Sequence, residues 1–314
     1  MPVEPDETDA ETIAIDGFDA ADPAGPLFDS VTKLAPLTLP GGDTTDVYLP
    51  AFADTDPLPL ALVMQGFNVS KPNYRRFSSM LAAYGFVVLV PEHPGLLGIA
   101  LAAELREIPE VLTFARAVNA DPQSPLFGRI DTDTLVVLGH SYGGDAALNA
   151  AAARCAPPFC VGRFDRPPQL AGVAVFGADL RALVLTGPIP GVADTVPLAI
   201  IVGDRDGIAP PADAQTTFDR IEDAPRALMT IVGANHFAMT DTLSPVGIIS
   251  DPVAPSIPQA DAVEAVARGS AVFLRAFALG DADALAILDA SATGQRTQLI
   301  SPRAAINVQL VTEP

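Results

Sequence analysis

The sequence predicts an α/β fold, with a mostly parallel central sheet and helices on both faces. Two observations carry this. Residues 58–64, 86–91, 135–138, 170–176 and 197–203 are short, continuously apolar runs, as expected of strands buried on both sides, and 226–232 reads as a last core strand. Stretches with helical spacing alternate with them, and alternating strands and helices build parallel sheets through crossover connections. At 314 residues and 49% hydrophobic content the chain can bury a large core, and it is read as a single domain over residues 31–314.

Taken in order, residues 1–30 are acidic, proline-bearing and without periodicity, and read as a flexible arm. Met1 to Asp22 holds eight carboxylates and no Lys or Arg, the reverse of a signal peptide's basic start and apolar middle, although a mature form with its leader removed would look the same. Residues 46–50 read as an edge strand, followed by a turn at 53–57 rich in proline and aspartate. Leu58 to Met64 is a buried strand running into Gln65-Gly66-Phe67-Asn68. Residues 74–84 form a helix stopped by Gly85, and residues 86–91 the next strand.

Residues 94–98 are a loop and 99–118 a long helix that Pro109 must kink or divide. A turn at 121–125 precedes the central strand, and residues 146–154 are strongly helix-forming. Residues 153–168 have no period and are a candidate cap or pocket rim. Strands at 170–176, 197–203 and 226–232 follow, with helices at 212–222 and 261–278. The tail from Asp281 is expected to add one helix and an irregular strand.

The chain is organised around Leu135-Val136-Val137-Leu138-Gly139-His140-Ser141-Tyr142-Gly143-Gly144. Gly139-x-Ser141-x-Gly143 between a buried strand and a helix is the nucleophile-elbow pattern, a strained turn that lifts a serine hydroxyl above the sheet. The Tyr142 N–H is then aimed at the space where an oxyanion would develop, and the Phe67 N–H is the proposed second donor.

A serine needs a base, and the chain has three histidines. His140 is adjacent to the serine and points away from it; His93 follows an upstream strand and suits a pocket-lining or surface role. His236 stands in Gly233-Ala234-Asn235-His236-Phe237, just past the last core strand, at the sheet edge where open α/β sheets bind ligands. The acid should come from Gly203-Asp204-Arg205-Asp206-Gly207-Ile208-Ala209-Pro210. Asp206 is preferred over Asp204 because it lies deeper in the loop and reaches a neighbouring one.

Together the Gly139–Gly144, Asp206–Pro210 and Gly233–Phe237 segments resemble the α/β-hydrolase superfamily, in its chlorophyllase-like, dienelactone-hydrolase-like and polyester-hydrolase (cutinase-like) neighbourhood, over roughly residues 45–280. The resemblance implies a Ser141-His236-Asp206 triad, an oxyanion hole from Phe67 and Tyr142, and no metal or cofactor. It also supports Asp206 as the acid and Phe67 as a donor. The chain departs from the pattern at Gln65, where many esterases have histidine before the glycine, and at Tyr142, where plant chlorophyllases have arginine. It also lacks the tryptophans usual beside the cleft of polyester hydrolases.

The implied activity is hydrolysis of a small or polymeric hydrophobic ester through an acyl-enzyme, with lipase, polyesterase, chlorophyllase and inactive binding-module readings as alternatives. Gln65, Asn68 and Phe237 are expected to line the substrate site, and Phe67, Tyr74, Phe77, Tyr142 and Phe159 to stand near the cleft, about half of these aromatics serving only as core. Haloalkane or epoxide chemistry would need aspartate at position 141.

A formal charge of −20 argues against nucleic acid and anionic membranes as partners, and no apolar run is long enough to span a bilayer. The compartment is left open. Cys155 and Cys160, the only cysteines, form a short-loop disulfide in an oxidising compartment or stay as two thiols.

Overall fold

The computed structural model describes residues 10–51, 56–95, 98, 100–180, 189–193, 195–293 and 300–312. Among these residues ten strands form one sheet: β1 (Glu11–Ala14), β2 (Ser30–Thr38), β3 (Thr44–Pro50), β4 (Leu58–Met64), β5 (Val87–Glu92), β6 (Ile130–His140), β7 (Leu170–Phe176), β8 (Leu198–Gly203), β9 (Arg226–Ile231) and β10 (Ile306–Val311). Their spatial order is β1-β2-β3-β5-β4-β6-β7-β8-β9-β10. The central strands from β5 to β9 pair in parallel, and antiparallel strands extend the sheet at both ends.

The helices are α1 (Arg75–Ala83), α2 (Glu107–Ala120), α3 (Tyr142–Ala151), α4 (Pro211–Asp219), α5 (Gln259–Ala278) and α6 (Ala282–Ala292), with a 3-10 turn at Lys71–Tyr74 before α1. They divide between the two faces of the sheet. Ala61 and Val63 of β4 pack with α1, α5 and α6, whereas Leu60, Leu62 and Met64 pack with α2, α3 and α4. Successive side chains point to opposite faces, so a strand covered on both sides must be apolar at every position. That is why the central strands stand out in the sequence.

Four expectations are corrected. Residues 10–29 are not a free arm. Strand β1 pairs with β2, Arg75 holds Glu11 (2.6 Å) and Arg76 holds Asp16 (3.2 Å). The buried Arg268 of α5 is paired with Asp22 and donates to the Ile300 carbonyl. The acidic composition looked like disorder because the arginines that neutralise it come from α1 and α5; residues 1–9 lie outside the described residues. Second, β3 is no edge strand, since β2, which was not expected, pairs along it. Third, α2 starts only at Glu107, so Pro109 falls in its first turn, where a missing N–H costs nothing. Finally, β10 is regular, pairing with β9 from Ile306 opposite Ile231 to Val311 opposite Arg226. Most of the expected turn at 53–57 is outside the described residues.

Cys155 and Cys160 are joined as a disulfide inside the irregular segment after α3. Among the described residues no helix is long and apolar enough to cross a membrane.

Glu107, fully buried in the first turn of α2, accepts from the Glu104 N–H through Oε1 (2.7 Å). Its Oε2 is buried without a hydrogen-bond partner among the described residues. Burial pushes its carboxyl up to about 8. The folded state therefore binds more protons than the unfolded chain between the ordinary value of 4.5 and about 8, and stability falls as pH rises through that window, by up to about 1.4 kcal/mol per unit. Glu107→Gln is expected to remove this slope, so its stability advantage over the native chain in urea titrations should grow from pH 5 to pH 8. Parallel stability curves would contradict the assignment.

Candidate active site

Three loops meet at the carboxyl edge of the parallel strands. The first is the corner between β6 and α3. Ser141 occupies it at φ 52° and ψ −121°, a left-handed φ that costs a non-glycine residue roughly 1–3 kcal/mol and must be held by its surroundings. The Ser141 N–H donates to the Phe176 carbonyl (2.9 Å), and the Ser141 carbonyl accepts from the Asp145 N–H (2.9 Å). Gly143 is needed for close approach, since a Cβ there would collide with the carbonyl oxygens of Met64 and Gln65 at the end of β4.

The second loop follows β8 and carries Asp206, and the third follows β9 and carries His236. His236 Nδ1 lies 2.9 Å from Asp206 Oδ2, and His236 Nε2 lies 2.9 Å from Ser141 Oγ. A carboxylate only accepts, so Nδ1 carries the proton and Nε2 is left to accept from the serine hydroxyl. Asp206 Oδ1 is occupied by the N–H groups of Ile208 (2.9 Å) and Ala209 (2.7 Å). This leaves Oδ2 for the imidazole. Asp206 and His236 are both buried, which strengthens their interaction by excluding water.

Asp204 does something else. Its Oδ1 accepts from the Gly233 N–H (2.7 Å), tying the acid loop to the start of the histidine loop rather than pairing with Arg205. His93 is neither exposed nor pocket-lining: it is fully buried, with Nδ1 2.6 Å from Asp43 Oδ2 and Nε2 3.1 Å from an Arg106 nitrogen.

His140 points away from Ser141, as expected, into a buried polar chain. The Gly66 N–H donates to the Tyr74 hydroxyl (2.7 Å), that hydroxyl donates to His140 Nδ1 (3.0 Å), and His140 Nε2 donates to the His236 carbonyl (2.9 Å). Each group has one role, so the chain admits a single tautomer. Burial, with the neighbouring His236 as the second cause, lowers His140 to about 3, so the ring stays neutral at ordinary pH. Burial likewise raises the Tyr74 hydroxyl. The chain connects the loop after β4 to the backbone of the base. Sequence reading assigned Tyr74 only to the cleft or core, because nothing in its spacing reveals the partner of its hydroxyl.

The side chains of Phe67 and Tyr142 are neighbours. Tyr142 is the first residue of α3, whose N-terminus favours negative charge, and its ring is 5.9 Å from that of Phe67. Neither the Phe67 nor the Tyr142 N–H donates to a protein acceptor among the described residues. Burial raises the Tyr142 hydroxyl to about 12. The Tyr142 ring packs on Phe159 (4.8 Å), so the disulfide-closed segment forms a rim. Beyond Phe159 lies a cavity of about 360 Å³, lined by Leu105, Arg106, Pro158 and Phe164. A larger cavity of about 480 Å³, between β1, α1 and α5, contains none of the triad. Chemistry rather than volume marks the site.

The residues expected to line the substrate site stand in different surroundings. Gln65 is fully buried and pairs with the His93 backbone through both ends of its amide (3.0 and 3.4 Å), so it shapes the loop instead of touching a ligand. Phe237 is buried as well, with its ring 5.4 Å from that of His236 and 6.2 Å from that of His140; it supports the base from below. Asn68 is at the mouth, at φ 55°, but its amide donates to the Gly247 carbonyl (3.1 Å). Tyr74 and Phe77 are core, while Phe67 is exposed.

Among the described residues no group of three or more His, Cys, Asp or Glu side chains could hold a metal ion. No protein-family model and no curated protein matches the chain.

Tyr74→Phe removes the hydroxyl that joins Gly66 to His140 and leaves a buried N–H and a ring nitrogen unpaired, at a cost of about 1–3 kcal/mol. The variant is expected to unfold at correspondingly lower urea concentration and to show a changed His140 ring signal in nitrogen-resolved NMR. An unaltered His140 signal would contradict the chain as drawn.

Proposed function

We propose that the protein is a serine carboxylic ester hydrolase of the α/β-hydrolase fold, acting on hydrophobic esters. The observation that carries the reading is the continuous Ser141 Oγ, His236 Nε2, His236 Nδ1, Asp206 Oδ2 relay, with 2.9 Å at both hydrogen bonds. The chain order serine, aspartate, histidine and the placement of all three after parallel strands support the fold reading.

In the proposed reaction Ser141 Oγ attacks the ester carbonyl carbon while its proton passes to His236 Nε2. The carbonyl oxygen becomes an oxyanion held by the Phe67 and Tyr142 N–H groups. Asp206 stabilises the imidazolium. The tetrahedral intermediate collapses by breaking the bond to the alcohol oxygen, which takes the proton from Nε2, leaving the acyl group on Ser141. Water then gives its proton to Nε2 and attacks the acyl carbon, and the serine leaves with that proton as the acid is released.

The rim supports a hydrophobic substrate. Asn68 joins the segment after the histidine loop at Gly247, and Asp251 accepts from the Gly207 N–H (3.2 Å), so residues 243–251 run from the oxyanion loop to the acid loop. That segment carries Val246 and Ile249 at 95% and 86% exposure, near the exposed Phe67 and Ile208. Its apolar, outward-facing side chains favour a second reading, in which the ester is presented on an insoluble polyester or lipid surface. The −20 charge disfavours anionic esters in either case.

Ser141→Ala is expected to lower kcat on a short-chain nitrophenyl ester by roughly 10⁴-fold or more, since the triad acts as a unit, with KM little changed. Turnover by the variant within tenfold of the native rate would sink the assignment. Comparing a soluble ester with a polyester film of matched chemistry separates the two substrate readings.

A further inference from the structure

The relay joins side chains, and the loops that carry Asp206 and His236 are tied where they leave their strands, by Asp204 to the Gly233 N–H and by the Arg205 N–H to the Ala234 carbonyl (3.0 Å). A second side chain reaches both loops further out, next to the acid and the base themselves. Asp251 Oδ2 accepts from the His236 N–H (2.8 Å) and from the Gly207 N–H (3.2 Å), and its Oδ1 accepts from the Val253 N–H (2.7 Å). We propose that Asp251 is a positioning residue for the reaction: its carboxylate pins the base and the residue after the acid to one point, setting the Asp206 to His236 distance. This rests on the hydrolase reading of the site.

Three features make the carboxylate specific. All three partners are N–H donors, so the position requires a group that only accepts; an amide would turn its own NH₂ against one of them. The bonds are charge-assisted, and two converge on one oxygen. Gly207 is fitted to the carboxylate, because a Cβ there would stand 2.6 Å from Asp251 Oδ1.

The neighbouring chain reinforces the arrangement. Arg205 Nε donates to the Ala254 carbonyl (2.6 Å), Asn235 Nδ2 to the Val253 carbonyl (3.1 Å) and the Ser256 N–H to the Gly233 carbonyl (2.8 Å). Residues 251–256 thus strap the two loops together, and Asp251 is the member that touches the base itself. The His236 ring faces Asp206, Ser141, the neutral His140 and the Phe237 ring; Asp251 acts through the backbone, not on the ring.

The test is Asp251→Asn, with Gly207→Ala as a second variant that displaces the carboxylate without removing it. Because small misplacements of a catalytic pair are costly, kcat on a nitrophenyl ester is expected to fall roughly 10- to 100-fold, with KM within about threefold. A purely structural role would not alter the low-field proton signal of His236 Nδ1–H in its bond to Asp206; here that signal is expected to broaden or vanish in folded Asp251→Asn protein. Native-like kcat and an unchanged low-field signal in both variants would overturn the proposal. If the native chain hydrolyses no ester, the hydrolase reading fails, and the low-field signal alone still decides whether Asp251 positions the pair.

Discussion

The contact between Ser141 Oγ and His236 Nε2 depends on a corner that the rest of the molecule holds under strain. Serine at positive φ is unfavourable by itself. It persists because the Ser141 N–H is bonded to the end of β7, its carbonyl caps the first turn of α3, and Gly143 lets that turn lie directly on the end of β4. Parallel pairing of β4, β6 and β7 then brings the loop after β4, Ser141 and the next strand end to one edge. The meeting of Ser141, His236 and Asp206 is a consequence of that packing.

Around this corner the polar groups are arranged so that no buried donor competes for the wrong partner. Asp206 spends one oxygen on two backbone N–H groups and keeps the other for His236. Tyr74 and His140 form a neutral chain from Gly66 to the His236 carbonyl, fixing the base from its backbone side without adding charge beside it. Phe237 fills the space beneath both imidazoles. An uncharged, dry support of this kind keeps an imidazole oriented and reserves electrostatic stabilisation for the moment when it becomes positive.

The sequence made the centre of the molecule legible and its margins less so. Strands β4 and β7 matched the apolar runs end for end, because burial on both faces leaves no room for polar residues. Ser141, Asp206 and His236 could be picked out because elbow glycines and strand ends constrain where such residues stand. Strand β2 was hidden by its mixture of exposed and buried positions, and residues 10–29 by acids whose arginine partners are distant in the chain. Gln65 and Phe237 were misjudged because a position close in sequence to Phe67 or His236 says nothing of which way a side chain turns, and both turn inward. The roles of Tyr74 and Asp251 depend on hydrogen bonds to backbone groups, which leave no pattern in composition or spacing.

Everything proposed for this site requires one serine to be activated by one imidazole. Its most direct test is reaction of the folded protein with a fluorophosphonate, followed by peptide mass mapping. A single adduct on Ser141, formed rapidly by the native chain and at least about a hundredfold more slowly after His236→Ala, is the predicted result. No adduct on Ser141 in the native protein, or labelling that ignores the loss of His236, would contradict it.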